Sequence, residues 1–69
     1  MNNHPSLKII GKKVQEARKA QGITIRKLGD LCEMDYSGLS RFENGQVNVH
    51  ILTLKRIADV LNMDVKDFL

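Results

Sequence analysis

Tyr36, Ser37, Ser40, Arg41 and Asn44 fall within one short stretch, MDYSGLSRFENGQ, residues 34–46. Their groups are a phenol, two hydroxyls, a guanidinium and an amide, which donate and accept hydrogen bonds but include no metal ligand and no obvious base. On a helix turning by about 100° per residue, Leu39 and Phe42 gather on one side with Asp35, and the polar five spread over the other. The major groove of B-form DNA admits a helix, and there an arginine can bond bidentately to guanine while hydroxyls and amides meet base edges or phosphates. A merely solvated helix is the alternative, although such helices are usually dressed with Glu and Lys in i,i+4 pairs. Tyr36 has a second reading as well, lying flat on a neighbouring helix as packing.

Other chemistries find little support. His4 and His50 are far apart and Cys32 is the single cysteine, so no metal-ligand spacing exists and no metal is expected. Cys32 reads most simply as a small core residue, with a redox sensor as the alternative. Ser37 and Ser40 have no nearby histidine and no nucleophile-elbow context. A chain of 69 residues is too short to enclose a deep pocket, so neither an enzyme nor a cofactor is expected.

The elements that must position the polar residues are all helical. Apolar residues make up 42% and charged residues 28%, the composition of one folded domain and not of a disordered tail. MNNHPS reads as a loose tail over residues 1–6, ahead of a domain over residues 7–69. Ile10, Val14 and Ala17 recur at helical spacing in a first helix over 7–20, which Gly22 stops. Thr24 caps a second helix carrying Ile25, Leu28 and Cys32. Asp35 is the expected cap of the third helix, which closes at Gly45. Leu54, Ile57, Ala58 and Leu61 form the stripe of a fourth, ended by Asn62, and Asp64 caps a last turn with Val65, Phe68 and Leu69. No apolar run approaches the roughly 20 residues of a membrane span, and the start lacks the long apolar stretch of a signal peptide. The cytoplasm is the expected location.

Charge is distributed unevenly. Through residue 27 there are seven basic residues against Glu16, and beyond it four basic against seven acidic, so the first part is +6 and the rest −3. Such polarity suits a protein that turns one face to a polyanion, although a solvated basic helix produces it too.

Two short helices joined by CEMD have the organisation of a helix-turn-helix. With IGKKVQEARKAQGIT, LSRFENG and LKRIADVLNMDVKDFL, the chain from Ile10 to Leu69 resembles the Cro and phage-repressor type of DNA-binding domain. The resemblance implies an all-α bundle of four or five helices and double-stranded DNA as partner. It implies that Tyr36, Ser37, Ser40 and Arg41 face bases or nearby phosphates. Asn44, Gln46 and the start of the second helix, with Thr24 and Arg26, would hold the DNA backbone. It also implies a partly buried Arg18–Glu43 ion pair tying the first helix to the third. The chain departs from the family pattern at Ile25, where many members have Gln, at Glu33, where the turn commonly has Gly, and at Val49, where Pro is frequent. Gly29 replaces a usual Ala and allows the second and third helices to approach closely.

The expected function is transcription regulation, with repression by operator occupancy as the leading mechanism. An antitoxin or controller-type protein regulating its own operon is the near alternative, and a module that only binds protein is the distant one. One short reading helix selects few base pairs, so a homodimer is expected. Leu52, Met63, Val65, Phe68 and Leu69 are the apolar residues available for its interface, unless Phe68 and Leu69 simply close the monomer's own core.

Overall fold

The structure is a computed structural model that describes residues 5–69. Four helices follow one another, α1 over Pro5–Ala20, α2 over Ile25–Cys32, α3 over Tyr36–Glu43 and α4 over Ile51–Val60, with a 3₁₀ turn over Val65–Asp67. The helix α1 begins at Pro5, two residues before the expected start, because proline's fixed φ and missing N–H are tolerated in a first helical turn. Residues 1–4 of the expected tail lie outside the described residues.

All four helices end by the same device. In each, the N–H of the residue in the left-handed conformation reaches the carbonyl three residues earlier, and the next N–H reaches the carbonyl five residues earlier. For α1 these are Gly22 N–H to Lys19 O at 3.0 Å and Ile23 N–H to Arg18 O at 3.1 Å. Gly45 ends α3 with φ +75°, and Asn62 ends α4 with φ +59°. Glu33, with φ +59°, does the same for α2, a conformation that costs a residue with a Cβ about 1–2 kcal/mol. The helix starts are less uniform. Thr24 Oγ1 accepts from Lys27 N–H at 3.1 Å, and Asp64 and Asp67 cap the last turn reciprocally. Asp35 stands at the N-cap position of α3 with extended backbone, but its side chain makes no capping bond, contrary to expectation.

The core comprises Val14, Leu28, Cys32, Leu39, Phe42, Leu54, Ile57, Ala58, Leu61 and Phe68. Each large side chain buried there contributes about 1.5–3 kcal/mol relative to exposure. Phe68 is 0% exposed, so it is spent on the monomer's own core and is unavailable to a dimer interface. A domain this small draws on a residue beyond its last full helix to complete its core. Cys32 is equally enclosed, and burial pushes its thiol up, with Arg56 acting weakly in the other direction. This is the setting of an inert packing residue rather than of a reactive thiolate. Among the described residues no helix is long and apolar enough to cross a membrane, and no cluster of His, Cys, Asp or Glu could hold a metal.

Candidate nucleic-acid interface

The reading helix is seated before it is decorated. Leu39 and Phe42 enter the core, and Glu43 joins them as a buried carboxylate. Arg18 of α1 meets it with both ends of its fork: Nε donates to Glu43 Oε2 at 2.8 Å and Nη2 to Oε1 at 3.0 Å. The third donor, Nη1, reaches Ile23 O at 2.9 Å, so the guanidinium also ties down the loop after α1. The bond to Glu43 holds the Arg18 guanidinium above its ordinary pKa against the opposing effect of burial. Bidentate pairs of this kind fix orientation as well as distance.

Two glycines let the supporting helices come close enough for this. A Cβ at Gly11 would lie 2.3 Å from Phe42 O and 2.7 Å from Glu43 O, so α1 passes directly under the end of α3. A Cβ at Gly29 would lie 2.9 Å from Met34 O and 3.5 Å from Tyr36 Cα, which presses α2 onto the turn and the start of α3. Gly29 therefore does what its small size suggested.

With the inner side so occupied, Tyr36, Ser37, Arg41 and Asn44 are exposed on the outer side of α3, and Ser40 is half-buried. Gln46 is exposed just beyond the helix, its backbone N–H closing the turn on Arg41 O at 2.9 Å. The Arg41 guanidinium makes no hydrogen bond or ion pair among the described residues, so its full set of donors is available to a ligand. From α2, Thr24 is exposed although its hydroxyl oxygen is engaged in the cap, and Arg26 leans across to Tyr36. One basic residue joins this surface that sequence reasoning had placed only in the positive first part of the chain. Lys8 runs over Gly45, where an added Cβ would lie 2.5 Å from Lys8 Cγ, and so flanks Asn44 and Gln46. Its net charge was the signal; the 37-residue separation hid the place.

The residues expected at a dimer interface do not form one patch. Leu52, 68% exposed, lines a shallow hollow with Ile51, Met63 and Val65, edged by Lys55 and Asp59. Ile51 was not among the expected residues, because the stripe of α4 drew attention to its inner side. Leu69 is 67% exposed and lines one hollow with Ser6, Ile9 and Ile10 of α1 and another with Ile10, Ile51 and Leu54, apart from Leu52 and Met63.

A family profile described as Helix-turn-helix matches residues 14–68. The chain belongs to the Cro/C1-type helix-turn-helix family. As a member of that family it is a DNA-binding transcriptional regulator, and its four helices and closing turn have the family's fold. Among solved structures, this helix-turn-helix chain is similar to the restriction-modification controller protein C.AhdI from Aeromonas hydrophila, with a TM-score of 0.92 and 26% identity over 96% of this chain and 100% of that one. It is similar in fold to the clp gene regulator ClgR from Corynebacterium glutamicum, with a TM-score of 0.90 and 23% identity over 96% of this chain and 70% of that one. A second structure of ClgR gives 0.88 and 24% over 91% and 81%. A search of the curated proteins gave no match.

Proposed function

We propose that this helix-turn-helix regulator reads a pseudo-palindromic operator as a homodimer in the cytoplasm, with α3 of each copy in the major groove, and represses by occupying the site. The observation that carries the reading is the division of α3 into a side clamped by the Arg18–Glu43 fork and a side bearing only hydrogen-bonding groups. Arg41 and Tyr36 face base edges, with Ser37 and Ser40 on bases or nearby phosphates. Asn44, Gln46, Thr24, Arg26 and Lys8 hold the backbone on either flank, which fixes register without reading sequence. The function is binding; no catalytic step is invoked.

Two-fold pairing supplies what one helix of two turns cannot, because two copies place their reading helices in successive major grooves about 34 Å apart. The hollow of Ile51, Leu52, Met63 and Val65 is the surface proposed for that pairing. The full-length match to a restriction-modification controller protein favours one refinement, that the operator lies ahead of the chain's own operon.

The test is a mobility shift with the DNA upstream of the chain's own operon, against excess mixed-sequence DNA. A complex that survives the competitor supports the reading. Complexes that dissolve at the same competitor level on every duplex would leave a protein-interaction module as the better description.

A further inference from the structure

Arg26, the second residue of α2, has Asp30 one turn further along its own helix, yet it makes no ion pair among the described residues. Its guanidinium carbon sits 4.7 Å from the centre of the Tyr36 ring, and Nη2 donates to the phenol oxygen at 3.5 Å. A planar guanidinium over an aromatic face combines cation–π attraction with stacking, which a lysine ammonium does not reproduce. Asp30 and Asp35 line the same hollow as Arg26, Met34 and Tyr36, and their charge favours keeping a cation there. At its other end Tyr36 sits close over Gly29, where an added Cβ would lie 3.5 Å from its Cα and 3.6 Å from its Cβ. The ring is thus held at its backbone by one feature of α2 and at its tip by another.

The hydrogen bond also sets what the hydroxyl can do. With an Arg N–H directed at its oxygen, the phenol is biased toward offering its own O–H outward. On the major-groove edge the acceptors are guanine N7 and O6, adenine N7 and thymine O4, whereas cytosine presents an amino donor.

We propose that Arg26 is the positioning residue for Tyr36, and that the two act as one unit that donates a single hydrogen bond to a purine or thymine edge and disfavours cytosine there. This rests on the reading of α3 as the groove helix. Arg26 then contributes to sequence choice at a base it does not touch, in addition to its charge near the phosphates.

Tyr36 is the single tyrosine and the chain has no tryptophan, so the near-ultraviolet tyrosine dichroism reports this ring alone. Arg26→Ala is expected to collapse that dichroism with an unchanged far-ultraviolet spectrum and melting temperature, and Arg26→Lys to restore it only in part. An Arg26→Ala protein with wild-type tyrosine dichroism overturns the proposal. The DNA arm is enrichment from a randomised duplex library by the wild type, Arg26→Ala, Tyr36→Phe and the double variant. Both single variants are expected to lose about tenfold of preference at the same one position, with the double variant losing no more. Losses at different positions, or losses that add, overturn it by showing two independent contacts. A wild-type protein that enriches no sequence overturns the groove reading itself and the proposal with it, whereas enrichment that Arg26→Ala leaves intact overturns the proposal alone.

Discussion

Arg41 is the side chain on α3 with most to lose. If it reads a base edge, Arg41→Ala lowers affinity for the preferred duplex by about 1–3 kcal/mol and leaves mixed-sequence DNA nearly unaffected. Asn44→Ala, at a proposed phosphate contact, weakens both alike. Mobility shifts on the two duplexes side by side separate these patterns, and equal losses for Arg41→Ala would move it to the backbone class. A different kind of residue-scale effect is stored at Glu33. Its left-handed backbone costs about 1–2 kcal/mol, and glycine would relieve that at an entropic cost of about 0.5–1 kcal/mol, so Glu33→Gly is expected to raise stability by roughly 0.5–1 kcal/mol. Little else is lost, because the Arg56 ion pair to Glu33 is long, at 3.8 Å, and both side chains are exposed. Asn62→Gly, at the same φ, gains less since asparagine visits this region readily. Thermal melting of the two variants tests the contrast, and a fall for Glu33→Gly would contradict it.

At the scale of elements, Arg18 and Glu43 make α1, α3 and the loop after α1 one unit. Truncating either leaves a buried charge unpartnered, at a cost of about 3–5 kcal/mol. A double-mutant cycle by denaturant unfolding is expected to return a coupling above about 0.5 kcal/mol, and additive losses would show that the two act separately. Helices were legible in the sequence where a local rule decided them. Gly22, Gly45 and Asn62 stop helices because a left-handed residue is needed there, and Thr24 starts one because a hydroxyl can reach back to an N–H. Asp35 obeys the same rule by type and by its extended backbone, but its carboxylate makes no capping bond, a detail of side-chain rotation that residue type does not encode. What the sequence could not show was contact between elements. Arg26 on the Tyr36 ring, Lys8 across Gly45 and Phe68 inside the core all depend on crossing angles that no local pattern encodes.

At the scale of the whole molecule, the apolar hollow on α4 is one of the apolar surfaces left over once the core and the reading face are accounted for, the hollow of Ile9, Ile10 and Leu69 being another. Leu52→Glu is expected to shift the protein toward monomer in sedimentation at micromolar concentration and to abolish cooperative binding to a palindrome, without lowering the melting temperature of the monomer. A wild-type protein that sediments as a monomer and binds a palindrome without cooperativity would remove the dimer and leave the reading helix in place. The glycine seats under α3 bear on the DNA as well. With the Phe42 and Glu43 carbonyls packed against the place where a side chain would begin on α1, and a two-pronged ion pair beside them, α3 is seated tightly on α1. If α3 is the groove helix, so tight a seat lets it adapt little to groove width, and more of the fit is expected to come from the duplex. Base steps that bend cheaply would then strengthen binding even where no side chain reaches them, and the operator would be chosen by its mechanics as well as by its letters.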